Sequence, residues 1–479
     1  MNRKVKLRAF LPFLTFAICN LQFAFSFANP PPLPTFSPLV FHPPKPERWV
    51  LPNGLVVFLL EDHELPLVKL EMLVRAGSQY DPPDKVGLQS LFGEVLAVGG
   101  SLHHTPEEIQ RALDVTGGSL GFSVSLEDAS GSLSCRAADF DKLFPLWVDL
   151  LRNPQFQNHY LDIEKNKTIE SLRRINDEPE EITRREFRRL IYGTAHPYAR
   201  IPDPASIKRI ARKDLLDVHA QYVHPNAMMI AVSGDFDRSA MKIKLQTALG
   251  DWPRADVAYP NVPAVIPTTE SKLYYIERPI NQSQIRMGHT GLKRHSPDHF
   301  AWEVFNELWG GGSTSRLFSI VRTQKGLAYE VGSTFWEPKD LGLILSICLT
   351  RGPQTTAAIR SIMDITQGLQ SAPFNEKEIS FAKDSIRNRF VENYTSSAKI
   401  ASDAMAMEFR GYPSDYLDTY PERIGKVTAE DLSRVAGLYL QPDKMITLVV
   451  GDLSTFDKPL STIGRPQEVK PLDYSQEEP

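Results

Sequence analysis

The chain has 479 residues, 42% hydrophobic and 23% charged, which excludes a disordered polymer and allows two or more domains, each with its own core. Its net charge of −4 is small, and Lys and Arg are scattered without forming a stripe, so nothing marks a nucleic-acid partner.

Residues 1–28 combine a basic start, an apolar run and Ser26-Phe27-Ala28, the pattern of a secretory signal peptide cleaved after Ala28. An uncleaved anchor is the alternative, disfavoured because Asn20 and Gln22 interrupt a run already short for a bilayer. Ile18 before Cys19 is not the small residue a lipoprotein signal requires. No later run is long and apolar enough to span a membrane, so the mature protein is expected to be exported and soluble, in the periplasm of a Gram-negative bacterium. Cleavage leaves Cys135 and Cys348, each in an alternating apolar run, and these are expected to be buried free thiols in separate cores.

Residues 29–46 are rich in proline and read as an extended leader. Next, WVLPNGLVVFLLED reads as two strands about a Pro-Asn-Gly turn, and PLVKLEMLVRAGS as a half-buried strand. A helix is predicted from about Gly87. Another opens after Thr105, with Pro106 at its first position and Glu108 completing a capping box. Strands and helices then alternate without a Rossmann fingerprint. Gly310 to Gly312 lack a following Gly-Lys-Ser/Thr, so they read as a break between helices and not as a phosphate loop.

An internal repeat organises the whole. NPQF at Asn153–Phe156 and SAPF at 371–374 are each followed by long polar helices and then by a strand ending in Gly-Asp. The spacing from Pro154 to Asp235 is 81 (235 − 154) and from Pro373 to Asp452 is 79 (452 − 373). This predicts an α+β chain of two homologous domains, each an antiparallel β-sheet packed with α-helices. The predicted boundaries are 47–258 for the first domain, 259–272 for a Pro-rich linker and 273–465 for the second.

The motifs LPNGLVVFLLEDHELPLVKLEMLVRAGSQYDPPDKVGL, YGTAHPYAR, HPNAMMIAVSGDFD, NELWGGGSTSRLFSIVRTQKGLAYEVGSTF and LVVGDLS, in this order, resemble the insulinase or pitrilysin family of zinc peptidases. The similarity is to the branch with two homologous domains per chain that includes the mitochondrial processing peptidases, and it runs from about Trp49 to Asp452. It implies the metallopeptidase fold of LuxS and the processing peptidases. Active members carry H-x-x-E-H, whose two histidines hold zinc and whose glutamate is the general base. With the register fixed by Gly87-Leu88, those positions fall on Ser90, Gly93 and Glu94. The last ligand, a glutamate on a later helix, falls on Glu170 or Ser171, and the neighbouring pattern favours Ser171. The expectation is that this chain binds no metal. His103 and His104 lie nearby but adjoin one another before a helix cap, and they read as surface or capping residues. His196 and His224 each stand alone beside a proline.

The resemblance also places a substrate-binding arginine and tyrosine, seven positions apart, on Arg322 and Tyr329 in VRTQKGLAYEV. By spacing alone these are an ordinary helix-end arginine and strand tyrosine. Within the family pattern they become donors for a peptide carbonyl. TGGSLGFSVS matches the family's edge strand, along which a peptide pairs; Gly121 stands where active members usually carry asparagine, and Phe122 where a small residue is common. The combination implies the non-catalytic subunit of a heterodimeric peptidase, with zinc in a homologous partner that carries H-x-x-E-H and with peptides as substrates. The alternatives are a pseudopeptidase scaffold or peptide-binding module, and an active enzyme with an unrecognised site.

Overall fold

The structure is a computed structural model describing residues 43–370 and 374–475; the expected signal peptide and residues 29–42 of the leader lie outside the described residues. Apolar alternation builds the first sheet. In Leu67–Val74, the residues Val68, Leu70, Met72 and Val74 are buried while Lys69 and Glu71 between them are half-buried, which places one face on a core. The sheet comprises β1 (Glu47–Val50), β2 (Val56–Glu61), β3 (Leu67–Val74), β4 (Ser119–Val124), β5 (Ala129–Arg136) and β6 (Met228–Gly234), in the order β1-β2-β6-β3-β5-β4.

The second sheet repeats this plan with β7 (Lys272–Glu277), β8 (Gln282–Thr290), β9 (Glu330–Trp336), β10 (Leu343–Arg351), β11 (Ile446–Gly451) and β12 (Pro466–Glu468), in the order β12-β7-β11-β8-β10-β9. Five strands correspond in position and direction. Only the outer edge differs, because β1 precedes the first unit and pairs antiparallel with β2, whereas β12 follows the second and pairs parallel with β7. The α+β class and the duplicated architecture agree with the sequence reading, with one correction: the sheets are mixed. β2 runs parallel to β6, and β7 to β11. The last long strand of each unit returns only after a series of helices, and so long a crossover lets it enter in the same direction as the first strand.

Each sheet has a main core on one face, centred on Leu70, Trp147 and Val232 in the first half and on Trp302, Trp309 and Val449 in the second. The opposite face is covered by a helix from the other half. Pro179–Tyr192 sets Ile182, Phe187 and Ile191 against Leu345, Leu448 and Val450 of the second sheet. Ser397–Phe409 sets Ile400, Ala401 and Met405 against Phe58, Leu60 and Ala231 of the first. Each such large side chain stabilises the docking by about 1.5–3 kcal/mol, so the exchange locks the halves together. Polar ties follow the same path: Arg48 grips Glu408 with two nitrogens at 2.7–2.9 Å, and Arg75 donates to the Phe409 carbonyl at 3.2 Å.

The turns that follow the two inner edge strands also meet. Glu127, between β4 and β5, pairs with Arg294 and accepts the Lys339 backbone N–H at 2.7 Å, in the segment between β9 and β10. Cys135 of β5 faces Val68 of β3, and Cys348 of β10 faces Ile285 of β8, so the two free thiols lie on corresponding strands of the duplicated sheets, two positions apart in register. Burial pushes them up to about 11 and about 12.

Candidate functional site

The helix Leu88–Val98 begins where Gly87 adopts φ +101, a conformation that favours glycine. Asp81 fixes this start, its carboxylate accepting the backbone N–H of Gly87 at 2.8 Å and of Gln89 at 2.9 Å. Burial pushes the Asp81 carboxyl up to about 6, against the pull of those two bonds and of Arg200. Leu88, Leu91, Phe92 and Val95 pack into the first core, which leaves Ser90 and Glu94, one helical turn apart, exposed on the other side. Gly93 is buried against β4, with room so tight that a Cβ would stand 3.0 Å from Val124 Cγ2.

Across from this helix runs Asn158–Arg173. Its buried Glu164 pairs with Lys167 at 2.7 Å. Partial desolvation, and then the Glu164 charge, raise the Glu94 carboxyl above its ordinary value, so these two acids lie near each other across the helices. Ser171 is seven residues beyond Glu164 and therefore on the same helical face (171 − 164 = 7), whereas Glu170 is rotated off it and pairs with Arg173. The expected ligand positions are thus Ser90, Glu94 and Ser171, an assembly with no imidazole and one carboxylate, and it does not fit zinc. Among the described residues, no group of three His, Cys, Asp or Glu side chains is placed to hold a metal ion.

The histidines have other engagements. His103 Nδ1 lies 2.8 Å from Asp149, and its backbone N–H donates to the same carboxylate at 3.2 Å. Nε2 of His196 sits 3.0 Å from the Pro263 carbonyl, and Nε2 of His224 2.8 Å from that of Ala220.

In the second half, the turns Leu317–Gln324 end at Lys325 and at Gly326, whose φ of +61 reverses the chain toward β9. Arg322 and Tyr329 come together there. The Arg322 guanidinium lies 4.7 Å from the Phe318 ring centre and 6.0 Å from that of Tyr329. Tyr329 is 71% exposed, and its backbone N–H donates to the Leu349 carbonyl at 2.9 Å, continuing the β9 edge. Neither side chain has a hydrogen-bond partner among the described residues. Leu88–Val98 packs on β4 and Asn158–Arg173, while Leu317–Gln324 packs on β9 and Thr355–Gly368; the pair and the emptied positions belong to different halves.

A feature the sequence reading missed lies beside Ser171. A cavity of about 520 Å³ is lined by Ser125 and Leu126 at the exit of β4, by Ser171, and by several arginines including Arg174 and Arg188. The signal for it was the RREFRR run at Arg184–Arg189, which reads locally as one more polar helix.

The comparisons with known proteins agree with this fold. The family model described as insulinase (peptidase family M16) matches residues 56–197, and the one described as peptidase M16 inactive domain matches 209–386. An uncharacterized zinc protease of Mycobacterium tuberculosis is 25% identical over 400 residues, covering 82% of this chain and 90% of that protein. A crystal structure described as the peptidase M16 inactive domain from Pseudomonas fluorescens superposes with a TM-score of 0.78 at 25% identity, covering 86% of this chain and 99% of the other. The periplasmic protease PqqL from Escherichia coli has a TM-score of 0.72 at 14% identity; the match covers 88% of this chain and 48% of PqqL, a likeness of fold alone.

Proposed function

Because the chain belongs to the insulinase family of peptidases, both halves being matched, we propose that it is the non-catalytic, substrate-binding subunit of a periplasmic heterodimeric zinc peptidase. The observation that carries the reading is the exposed Arg322–Tyr329 pair, in a chain where the resemblance sets the ligand positions on Ser90, Glu94 and Ser171 or Glu170. The guanidinium lies 4.7 Å from the Phe318 ring centre and 6.0 Å from that of Tyr329, and both side chains keep their donors unspent among the described residues. Presented to a peptide carbonyl, they stabilise the negative charge that grows on its oxygen as water adds. The metal and the general base would belong to a homologous partner bearing H-x-x-E-H. β4 and β9, inner edges of their sheets, offer free main-chain groups for strand addition by a peptide. The N-terminal signal pattern and a fold shared with the periplasmic protease PqqL support the compartment. No helix among the described residues is long and apolar enough to cross a membrane.

The test is to purify the chain alone and together with a zinc-bearing homologue encoded in the same genome, then to measure bound zinc and peptide cleavage. The expected result is a stable complex that cleaves peptides, and an isolated chain without stoichiometric zinc or turnover. Zinc and turnover in the isolated chain would sink the idea. In the complex, Arg322→Ala or Tyr329→Phe is expected to slow cleavage by roughly 10- to 1000-fold, the range for losing one transition-state donor. Unchanged rates would favour the scaffold alternative.

A further inference from the structure

The cavity beside Ser171 is lined by five arginines and two glutamates, and the partners of the arginines show which donors are still available. Arg185 is engaged at all three nitrogens, by Glu186 at 2.9 Å, the Ile175 carbonyl at 2.7 Å and Asn176 at 2.7 Å. Arg184 pairs with Glu181. Arg200 spends two nitrogens on the Gln79 and Asp81 carbonyls, at 3.2 and 2.9 Å, although its Nε is buried without an acceptor. Arg188 lacks even such partners. Its guanidinium lies 5.2 Å from the Trp336 ring centre, its Nε is buried without an acceptor, and no other hydrogen bond reaches its side chain among the described residues. The Arg174 side chain, on the exposed side, is likewise without an acceptor among them.

A guanidinium taken out of water onto an aromatic face, with donors left over, is complete only when an anion supplies acceptors. The cavity also opens where β4 ends, at Ser125 and Leu126, so a peptide added to that edge would run its chain directly into it. We propose that this cavity binds a carboxylate of a peptide lying on β4, with Arg188 as principal donor and Arg174 as second. The ligand is therefore a peptide with an acidic side chain or a free C-terminal carboxylate at the position that reaches Ser171. Burial already pulls the Arg188 guanidinium below the ordinary arginine range, which a bound carboxylate would reverse. The assignment rests on the proposed function only in taking a peptide as the ligand.

The experiment measures binding to the isolated mature chain by fluorescence anisotropy, so that failure to find a zinc-bearing partner leaves it unaffected. The probe is a labelled ten-residue peptide ending in Asp-Glu with a free C-terminus. It is compared with the same peptide amidated at the C-terminus, with an Asn-Gln version, and with one carrying both changes. The fully neutral peptide is expected to bind about 10-fold more weakly, the scale of one charge-assisted pair; the two single changes distinguish a terminal from a side-chain carboxylate. Arg188→Gln is expected to erase the preference, and Arg174→Gln to reduce it about 3-fold, as for a more exposed donor. Equal binding of acidic and neutral peptides by the unmodified chain, or no binding of either, overturns the assignment, as does an intact preference in folded Arg188→Gln. If that variant does not fold, the Arg174→Gln titration and the four-peptide series decide.

Discussion

Asp149 illustrates how much of this molecule is fixed by single side chains. Burial would raise its carboxyl, but hydrogen bonds from Ser101, Asn153 and His103 hold it down at about 2. A carboxyl lowered in the folded state contributes stability that is whole above its unfolded value near 3.8 and fades as pH falls through the folded one. Asp149→Asn is therefore expected to lower stability clearly at pH 5 and hardly at pH 2. Urea titrations at both pH values check this, and an equal loss at each would refute it. The same residue shows what could be read in advance. The sequence around His103 suggests a surface or capping role, but its partner Asp149 lies 46 positions on and is set by the fold (149 − 103). Arg322 and Tyr329 were legible because one turn and one strand place them. Arg188 was not, because the ring beneath it belongs to Trp336, 148 positions away (336 − 188).

At the scale of elements, local signals were the reliable ones. Thr105 and Glu108 form the capping box their spacing predicts, and β4 is the edge strand read from TGGSLGFSVS. Strand direction was harder, because the parallel pairing of β2 with β6 is decided by where a chain returns after several helices, and no short stretch encodes that. The helix Leu88–Val98 spans the positions that the family resemblance assigns to H-x-x-E-H, which permits a direct test. Ser90→His with Glu94→His restores two imidazoles at helical spacing, yet this double variant is expected to retain no stoichiometric zinc after dialysis. Adding Ser171→Glu supplies the third ligand from the face shared with Glu164, and zinc near one per chain is expected from metal analysis. Zinc held by the double variant would instead put Glu170 in the ligand position. Gly93 is best left unchanged in these variants, since even a methyl group there presses on Val124.

For the molecule as a whole, the duplication was visible as two matching spacings, while the exchange of helices between halves was not. Ile182, Phe187 and Ile191 announce an apolar face among arginines, but nothing local says that the face belongs on the second sheet. The consequence is that neither half closes its own sheet. A chain divided within 259–272 and co-expressed as two pieces is expected to elute as one complex on gel filtration. The first piece alone, with β2 and β6 uncovered by Ser397–Phe409, is expected to aggregate or to lose cooperative unfolding. Two separately soluble, cooperatively folding halves would show that the exchanged helices are dispensable.

The two thiols, one buried in each half, turn this architecture into a pair of clocks. Cys135 and Cys348 are silent toward a thiol reagent while their sheets stay shut, and each starts to count when its own half opens. Mature protein incubated with such a reagent near its midpoint of unfolding should modify both at one common rate, resolved by peptide mass analysis. If one clock runs ahead of the other, its half breathes alone, and the ratio of the two rates measures how much of the molecule's cooperativity the exchanged helices carry.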